Sequence, residues 1–240
     1  MFVNVVGMAE TPARRSRRER PAKAALTRDG IVATAVALMR AEGLERVTMR
    51  RLAEELDTGA ASLYVYVRNT AELHAAVLDE RLGVVDLGPV AERGDWRERL
   101  ERVLLSYTRV LFDHPGLAQS ALVTRPTGPH YLNLIEGLLA LLDAGGVAPA
   151  RAAWAVDVLL LYATANAAEH ATRTRAGTTE HDWDELTVAL RGVSADTHPR
   201  LAALGTELLS GSGGDRLRWG LRVQINGVLH TDLPDGDDHH

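Results

Sequence analysis

Apolar residues recur at three- and four-residue intervals along most of this chain, the spacing that builds one face of an α-helix. Ile31, Ala35, Leu38 and Met39 form a first stripe, with Thr27 placed as an N-cap and Glu42-Gly43 supplying a glycine stop. A shorter stripe, Leu52, Ala53 and Leu56, follows Thr48, a second capping candidate, and breaks at Asp57-Thr58-Gly59. Asp57 stands in that turn because aspartate tolerates left-handed backbone. Ala60 to Val67 reads as another helix that buries Leu63 and Val67 and presents Ala60, Ala61, Ser62, Tyr64 and Tyr66 outward. Thr70, also an apt N-cap, opens a connecting helix that runs to about Val85.

Beyond it, Gly88-Pro89 and Gly94-Asp95 mark a boundary to a larger helical region. Helices are expected at about 96 to 113, 115 to 123, 129 to 144, 149 to 175, 182 to 192, 199 to 209 and 214 to 229. Breaks fall at His114-Pro115, Arg125-Pro126, Gly145-Gly146, Gly177 and Gly211 to Gly214. The 149 to 175 segment carries Trp154, Val158, Leu161, Tyr162 and Ala165, enough to cover more than one face, so it should contact both the interior and a partner. The fold class is therefore all-α. Its expected parts are a basic arm over 1–25, a small helical domain over 26–74, a connecting helix with a larger domain over 75–230, and an acidic tail over 231–240.

Two short helices with a tight turn and a small-residue second helix have the shape of a helix-turn-helix that enters a DNA major groove. Ala60, Ala61 and Val65 can touch thymine methyls but make no bidentate hydrogen bond, so base reading falls mainly to Arg50, Ser62, Tyr64 and Tyr66. A net charge of −5 does not oppose this, because residues 1 to 51 hold 11 basic and 5 acidic side chains and the acid lies elsewhere. Arg14, Arg15, Arg17, Arg18 and Arg20, between Pro12 and Pro21, have no apolar periodicity and should be disordered in the free protein. They either order in an adjacent minor groove or supply diffuse attraction to phosphate.

Several classes are disfavoured. No apolar run is long enough to span a membrane, and the short apolar stretch Met1 to Met8 precedes the basic residues, the reverse of a secretory signal. With no cysteine there is no disulfide or thiol chemistry, which fits a cytoplasmic protein. His114, His130, His170 and His181 lack metal-ligand spacing, and HExxH, GxSxG and P-loop patterns are absent, so no enzyme activity and no cofactor are expected. Ser210 to Gly214 reads as a flexible loop before a capped helix; for Trp154 and Trp219 a place at a dimer interface or pocket wall stands beside core packing, which is the default for each.

Thr48-x-Arg50-x-Leu52-Ala53, then Ser62-Leu63-Tyr64-x-Tyr66-Val67 and Leu73, resemble the DNA-binding domain of TetR-family transcriptional repressors. Trp96, His114-Pro115, Thr124-Arg125-Pro126, Tyr131, Glu169 and Leu217-x-x-Gly220-Leu221 with Gly227 resemble the tetracycline-repressor branch of that family. The resemblance covers roughly 26 to 230, except 176 to 212. It implies a homodimer paired through the long and final helices, a double-stranded DNA operator, a small-molecule inducer, and an exporter or resistance gene as target. Thr48 and Thr70 join the DNA-contact set, Thr70 where the family usually has a phosphate-binding lysine.

By the same resemblance the ligand positions are Asp86, Val103, Tyr107, Ala121, Thr124, Gly137 and Glu169, of which Tyr107, Thr124 and Glu169 keep the branch's chemistry. Ala121 replaces a metal-binding histidine, so no magnesium is expected; Val103 and Gly137 replace amide side chains, and Asp86 another histidine. Smaller, less polar side chains imply a roomier apolar pocket, with Asn166, Glu169 and His170 sharing one helical face as polar points. For Glu169 and His170 a solvated surface position stands beside that reading. Two other functions stay open: a ligand-independent activator or architectural DNA binder, and a helical enzyme or carrier with a vestigial DNA reader.

Overall fold

A computed structural model describes residues 25–176 and 179–234. Among the described residues there are twelve helices, one 3-10 turn and no strand. Arg14, Arg15, Arg17, Arg18 and Arg20, the break expected at Gly177, and most of the tail lie outside them.

Local chemistry explains the first elements. Helix α1 (Arg28–Glu42) starts where the Thr27 hydroxyl accepts from the Gly30 N–H at 3.1 Å and ends at Gly43, whose φ of 89° favours glycine. A 3-10 turn (Leu44–Arg46) leads to α2 (Met49–Glu55), capped by Thr48, which accepts from Arg51 N at 3.1 Å. Arg51 then reaches Glu42 at 2.6 Å and Glu55 at 2.9 Å, fastening α1 to α2. Asp57 does take a left-handed conformation, φ 48°.

Two boundaries differ from expectation. The helix after the turn, α3, spans only Ala60–Leu63, and the chain then turns through Tyr64 to Tyr66. Val65, Tyr66 and Val67 are weak helix formers, and the turn brings Tyr66 inward, where its hydroxyl donates to Leu26 O at 2.8 Å. Helix α4 (Thr70–Leu82) is capped by Asn69, not Thr70: Asn69 Oδ1 accepts from Glu72 N at 2.8 Å. Adjacent Asn and Thr compete for that position, and asparagine is the stronger cap.

A one-turn helix, α5 (Gly88–Ala91), precedes the larger domain: α6 (Trp96–Phe112), α7 (Pro115–Val123), α8 (Pro129–Ala144), α9 (Pro149–Ala176), α10 (Thr179–Arg191), α11 (Pro199–Leu209) and α12 (Gly213–His230). Helix α9 lies at the centre, against α6, α7, α8 and α12. Its inward face is rich in small residues, Ala152, Ala155, Ala163, Ala167, Ala168 and Ala171, which let neighbouring backbones approach. Its other face exposes Trp154, Val158 and Leu161, so it has the two apolar faces expected of it. Trp154 (57% exposed) and Trp219 (69%) are therefore surface residues, which sets aside the default of core packing for them. The loop over Ser210 to Gly214 ends in a capping box: Ser212 Oγ accepts from Asp215 N at 3.1 Å, and Asp215 accepts from Ser212 N at 3.2 Å.

The two domains meet along α4. Leu73, Val77, Leu78 and Leu82 are buried on it, and it packs on α1 on one side and on α7 and α8 on the other. Arg81 Nε donates to His114 Nε2 at 3.0 Å, tying the end of α4 to the α6–α7 corner, where burial first and then Arg81 lower the His114 pKa. Gly116 adds a close approach: a Cβ there would sit 2.8 Å from Leu44 Cβ.

Candidate DNA-reading surface and ligand cleft

Leu52, Ala53, Leu63 and Val67 face the small core, which turns the opposite side of α2, α3 and the following turn to solvent. That surface carries the Arg50 side chain, 90% exposed, with Ala61, Ser62, Tyr64 (52%) and Val65 (80%). Arg50 Nε donates to Glu54 at 3.1 Å, an exposed i,i+4 pair that contributes little and yields readily to a base or phosphate. Ala60 is half-buried against the core, Thr48 is occupied as a cap, and Thr70 is a half-buried first-turn residue of α4. Tyr66 does not present outward; its ring packs on the core, because one polar tip satisfied by Leu26 lets the ring be buried. Arg68, omitted from the expected contacts, is exposed beside this surface and paired with Glu72 at 2.9 Å.

A narrow cleft of about 60 Å³ opens where α4 meets the larger domain, smaller than the roomy pocket expected, because Tyr107, Tyr131 and the leucines fill it. Helix α4 supplies Leu78 and Leu82; α6 supplies Tyr107; α7 and its loop supply Ala121, Leu122, Thr124, Arg125 and Pro126; α8 supplies Tyr131. Asp157, Leu160, Leu161 and Thr164 of α9 complete it, an i, i+3, i+4, i+7 stripe. Deep in the cleft Tyr107 Oη and Thr164 Oγ1 share a hydrogen bond at 2.7 Å. Burial pushes the Tyr107 phenol up to about 12, opposed by that bond. At the rim Arg125 pairs with Asp157 at 2.6 Å.

Of the residues expected at the ligand, the cleft brings together Tyr107, Ala121 and Thr124. The others fall elsewhere, each for a local reason. Asp86 turns back to its own loop, Oδ1 accepting from Gly88 N at 2.9 Å. Val103 is wholly buried in the core, and Gly137 packs under α5, where a Cβ would meet Val90 Cγ2 at 3.1 Å. Asn166, Glu169 and His170 lie off the α9 stripe. Asn166 donates to Tyr162 O at 2.8 Å, Glu169 pairs with Arg173 at 2.6 Å, and His170 sets its ring edgewise on Phe112 at 4.9 Å. At 100° per residue those three positions point well away from residue 164. Asp157, Leu160 and Thr164 were not picked out from the sequence, although their helical spacing is the signal that could have found them; the connecting helix was expected to face the pocket, but through Asp86 at its end and not through Leu78 and Leu82.

Among the described residues no group of three or more His, Asp or Glu is placed to hold a metal ion, and no helix is long and apolar enough to cross a membrane.

Two family models match the chain: "Bacterial regulatory proteins, tetR family" over residues 31–77, and "Tetracyclin repressor-like, C-terminal domain" over residues 88–231. Among solved structures, the Streptomyces transcription regulator SCO7704 is 56% identical, with a TM-score of 0.74 over 89% of this chain and 100% of that one. ActR of Streptomyces coelicolor, in complex with actinorhodin, is 37% identical, with a TM-score of 0.76 over 86% of this chain and 98% of that one. A transcriptional regulator of Saccharopolyspora erythraea is 37% identical over 133 residues, 55% of this chain, which spans little more than half (56%) of that relative's length. A reading head on α2 and α3, joined by one helix to a helical domain with its own cleft, thus belongs to a chain that is a member of the TetR family of bacterial transcriptional regulators.

Proposed function

We propose that this protein is a homodimeric transcriptional repressor released from a palindromic operator by an amphipathic, antibiotic-like molecule, and that it acts in the cytoplasm on an exporter or resistance gene. One observation carries the ligand-responsive part: Leu78 and Leu82, which wall the cleft, belong to α4, the helix that leads directly from the reading head. A molecule in the cleft therefore touches the head's own lever. A ligand acts on DNA binding only through a difference in affinity between two conformations, and a wall that moves with the head provides one.

Dimerisation is supported by the apolar residues left exposed on adjoining helices: Trp154, Val158 and Leu161 on α9, and Trp219 and Val223 on α12. A patch of this kind marks an interaction surface, and a two-fold axis through it makes the patch self-complementary. Two heads so related would have to meet successive major grooves about 34 Å apart. Arg50, Ser62 and Tyr64 would read bases, Ala61 and Val65 would meet thymine methyls, and Arg14 to Arg20 would add phosphate contacts.

Leucines and Pro126 give the cleft apolar walls, with Thr124, Tyr131 and the Arg125–Asp157 pair as polar points. That mixture suits an amphipathic molecule, which would have to widen the cleft to enter it. The complex of ActR with actinorhodin supports the same class and makes actinorhodin the first compound to test. Ala121 offers no metal ligand, so tetracycline with magnesium should leave the operator complex intact.

The DNA reading is tested by selecting duplexes from a random pool with the full-length protein. A two-fold symmetric sequence should emerge, and Arg50→Ala should weaken its binding at least tenfold, about 1.4 kcal/mol, with melting unchanged. Selection of an asymmetric site, or Arg50→Ala binding as tightly as wild type, would contradict the reading.

A further inference from the structure

Helix α8 is preceded by Gly128, which has no side chain to cap it. The first turn of any helix leaves backbone N–H groups without partners, and inside a protein these need an acceptor. Here the acceptor comes from α4: Asp79 Oδ1 takes the N–H of Tyr131 at 2.9 Å. Asp79 is buried, so the bond lies in a poorly hydrated setting, among the costlier contacts to break.

The fit around it is close. A Cβ on Gly128 would collide with the Asp79 carboxylate, so only glycine admits this approach. One helical turn further along α4, a Cβ on Gly83 would lie 2.9 Å from His130 Cε1. Asp79 on α4 and Gly83 at its C-terminal end thus form a seat for residues 128 to 131. Tyr131 has a second role, because it also lines the cleft beside Ala121 and Arg125.

We infer that Asp79 is the positioning residue that transmits occupancy of the cleft to the reading head. A molecule that displaces Tyr131 moves the first turn of α8, and the bond from Tyr131 N–H to Asp79 moves α4 with it. The leucines of α4 that touch the cleft can slide against an occupant; the hydrogen bond fixes direction and register. This inference rests on the cleft being the inducer site, and its test separates the two.

The test replaces the inducer by a built-in wedge. Ala121→Trp fills the cleft next to Tyr131, and Leu122→Trp, at a more exposed position, serves as a second wedge with less risk to folding. Each is placed in wild type, Asp79→Ala and Asp79→Asn, and binding to the selected operator duplex is measured with folded protein. In wild type a wedge should weaken operator binding roughly tenfold or more, within the usual range of allosteric coupling. In Asp79→Ala the same wedge should change binding less than about threefold. Asp79→Asn, which keeps an acceptor for Tyr131 N–H, should restore most of the response. A wedge effect equal in wild type and Asp79→Ala would overturn the role of Asp79 and leave the cleft as inducer site. No effect of either wedge in wild type would overturn the inducer-site reading and this inference with it.

Discussion

The hydroxyl of Tyr66 donates to the carbonyl oxygen of Leu26 at 2.8 Å, across forty residues, and so pins the end of the reading turn to the strand of chain that enters α1. Its neighbour Tyr64, two residues earlier, faces solvent. Two tyrosines that look equivalent in sequence therefore divide into one that builds the head and one left exposed on the surface proposed to read DNA. Tyr66→Phe should lower stability by about 1 kcal/mol, since it leaves a part-buried carbonyl without its donor. Tyr64→Phe should leave stability unchanged and weaken operator binding. Chemical denaturation and operator titration on both variants check this, and the reverse pattern would contradict it.

Gly220 on α12 lies so close to Tyr162 on α9 that a Cβ would fall within the tyrosine hydroxyl. Gly220→Ala should therefore separate these helices and cost roughly 1–3 kcal/mol by overpacking. The same change in a Tyr162→Ala background should cost much less, a coupling that a double-mutant cycle in denaturant reads directly. Since α9 and α12 carry the exposed apolar patch, sedimentation of Gly220→Ala should also show a weakened dimer. A dimer and a melting point equal to wild type would place the interface elsewhere.

Tyr107 should ionise late. Its phenol sits at about 12 in the folded chain against 10 for a free tyrosine, because burial disfavours the anion. Between those values the unfolded chain releases a proton that the folded chain keeps, so unfolding gains as pH rises. Stability should be level below pH 10 and fall as pH climbs toward 12. Tyr107→Phe should flatten that decline, at a cost near neutral pH of about 1 kcal/mol for the lost Thr164 bond. A phenolate absorbance titration in which every tyrosine ionises together near pH 10 would contradict the burial argument.

Helices and their local stops were legible in the sequence because the signals are local. The Ile31-Ala35-Leu38-Met39 stripe, the Thr27 and Thr48 caps and the Gly43 stop each act within one turn of chain. Where two local signals compete, as Asn69 and Thr70 do, order of preference decided the boundary. The cleft was less legible because it depends on rotational phase: residues 157, 160, 161 and 164 of α9 face it, while Asn166, Glu169 and His170, a few residues on, do not. Asp79 had no sequence signal at all. Its partner is fifty-two residues away, and only the packing of α8 on α4 gives a buried carboxylate there a purpose.

Reciprocal titration of operator duplex and actinorhodin against the full-length protein tests the central claim most directly. If cleft and head share one lever, saturating compound weakens operator binding, and saturating operator weakens compound binding by the same factor, as linkage requires. Compound that binds with its affinity untouched by operator, and leaves operator affinity untouched in return, would contradict the account.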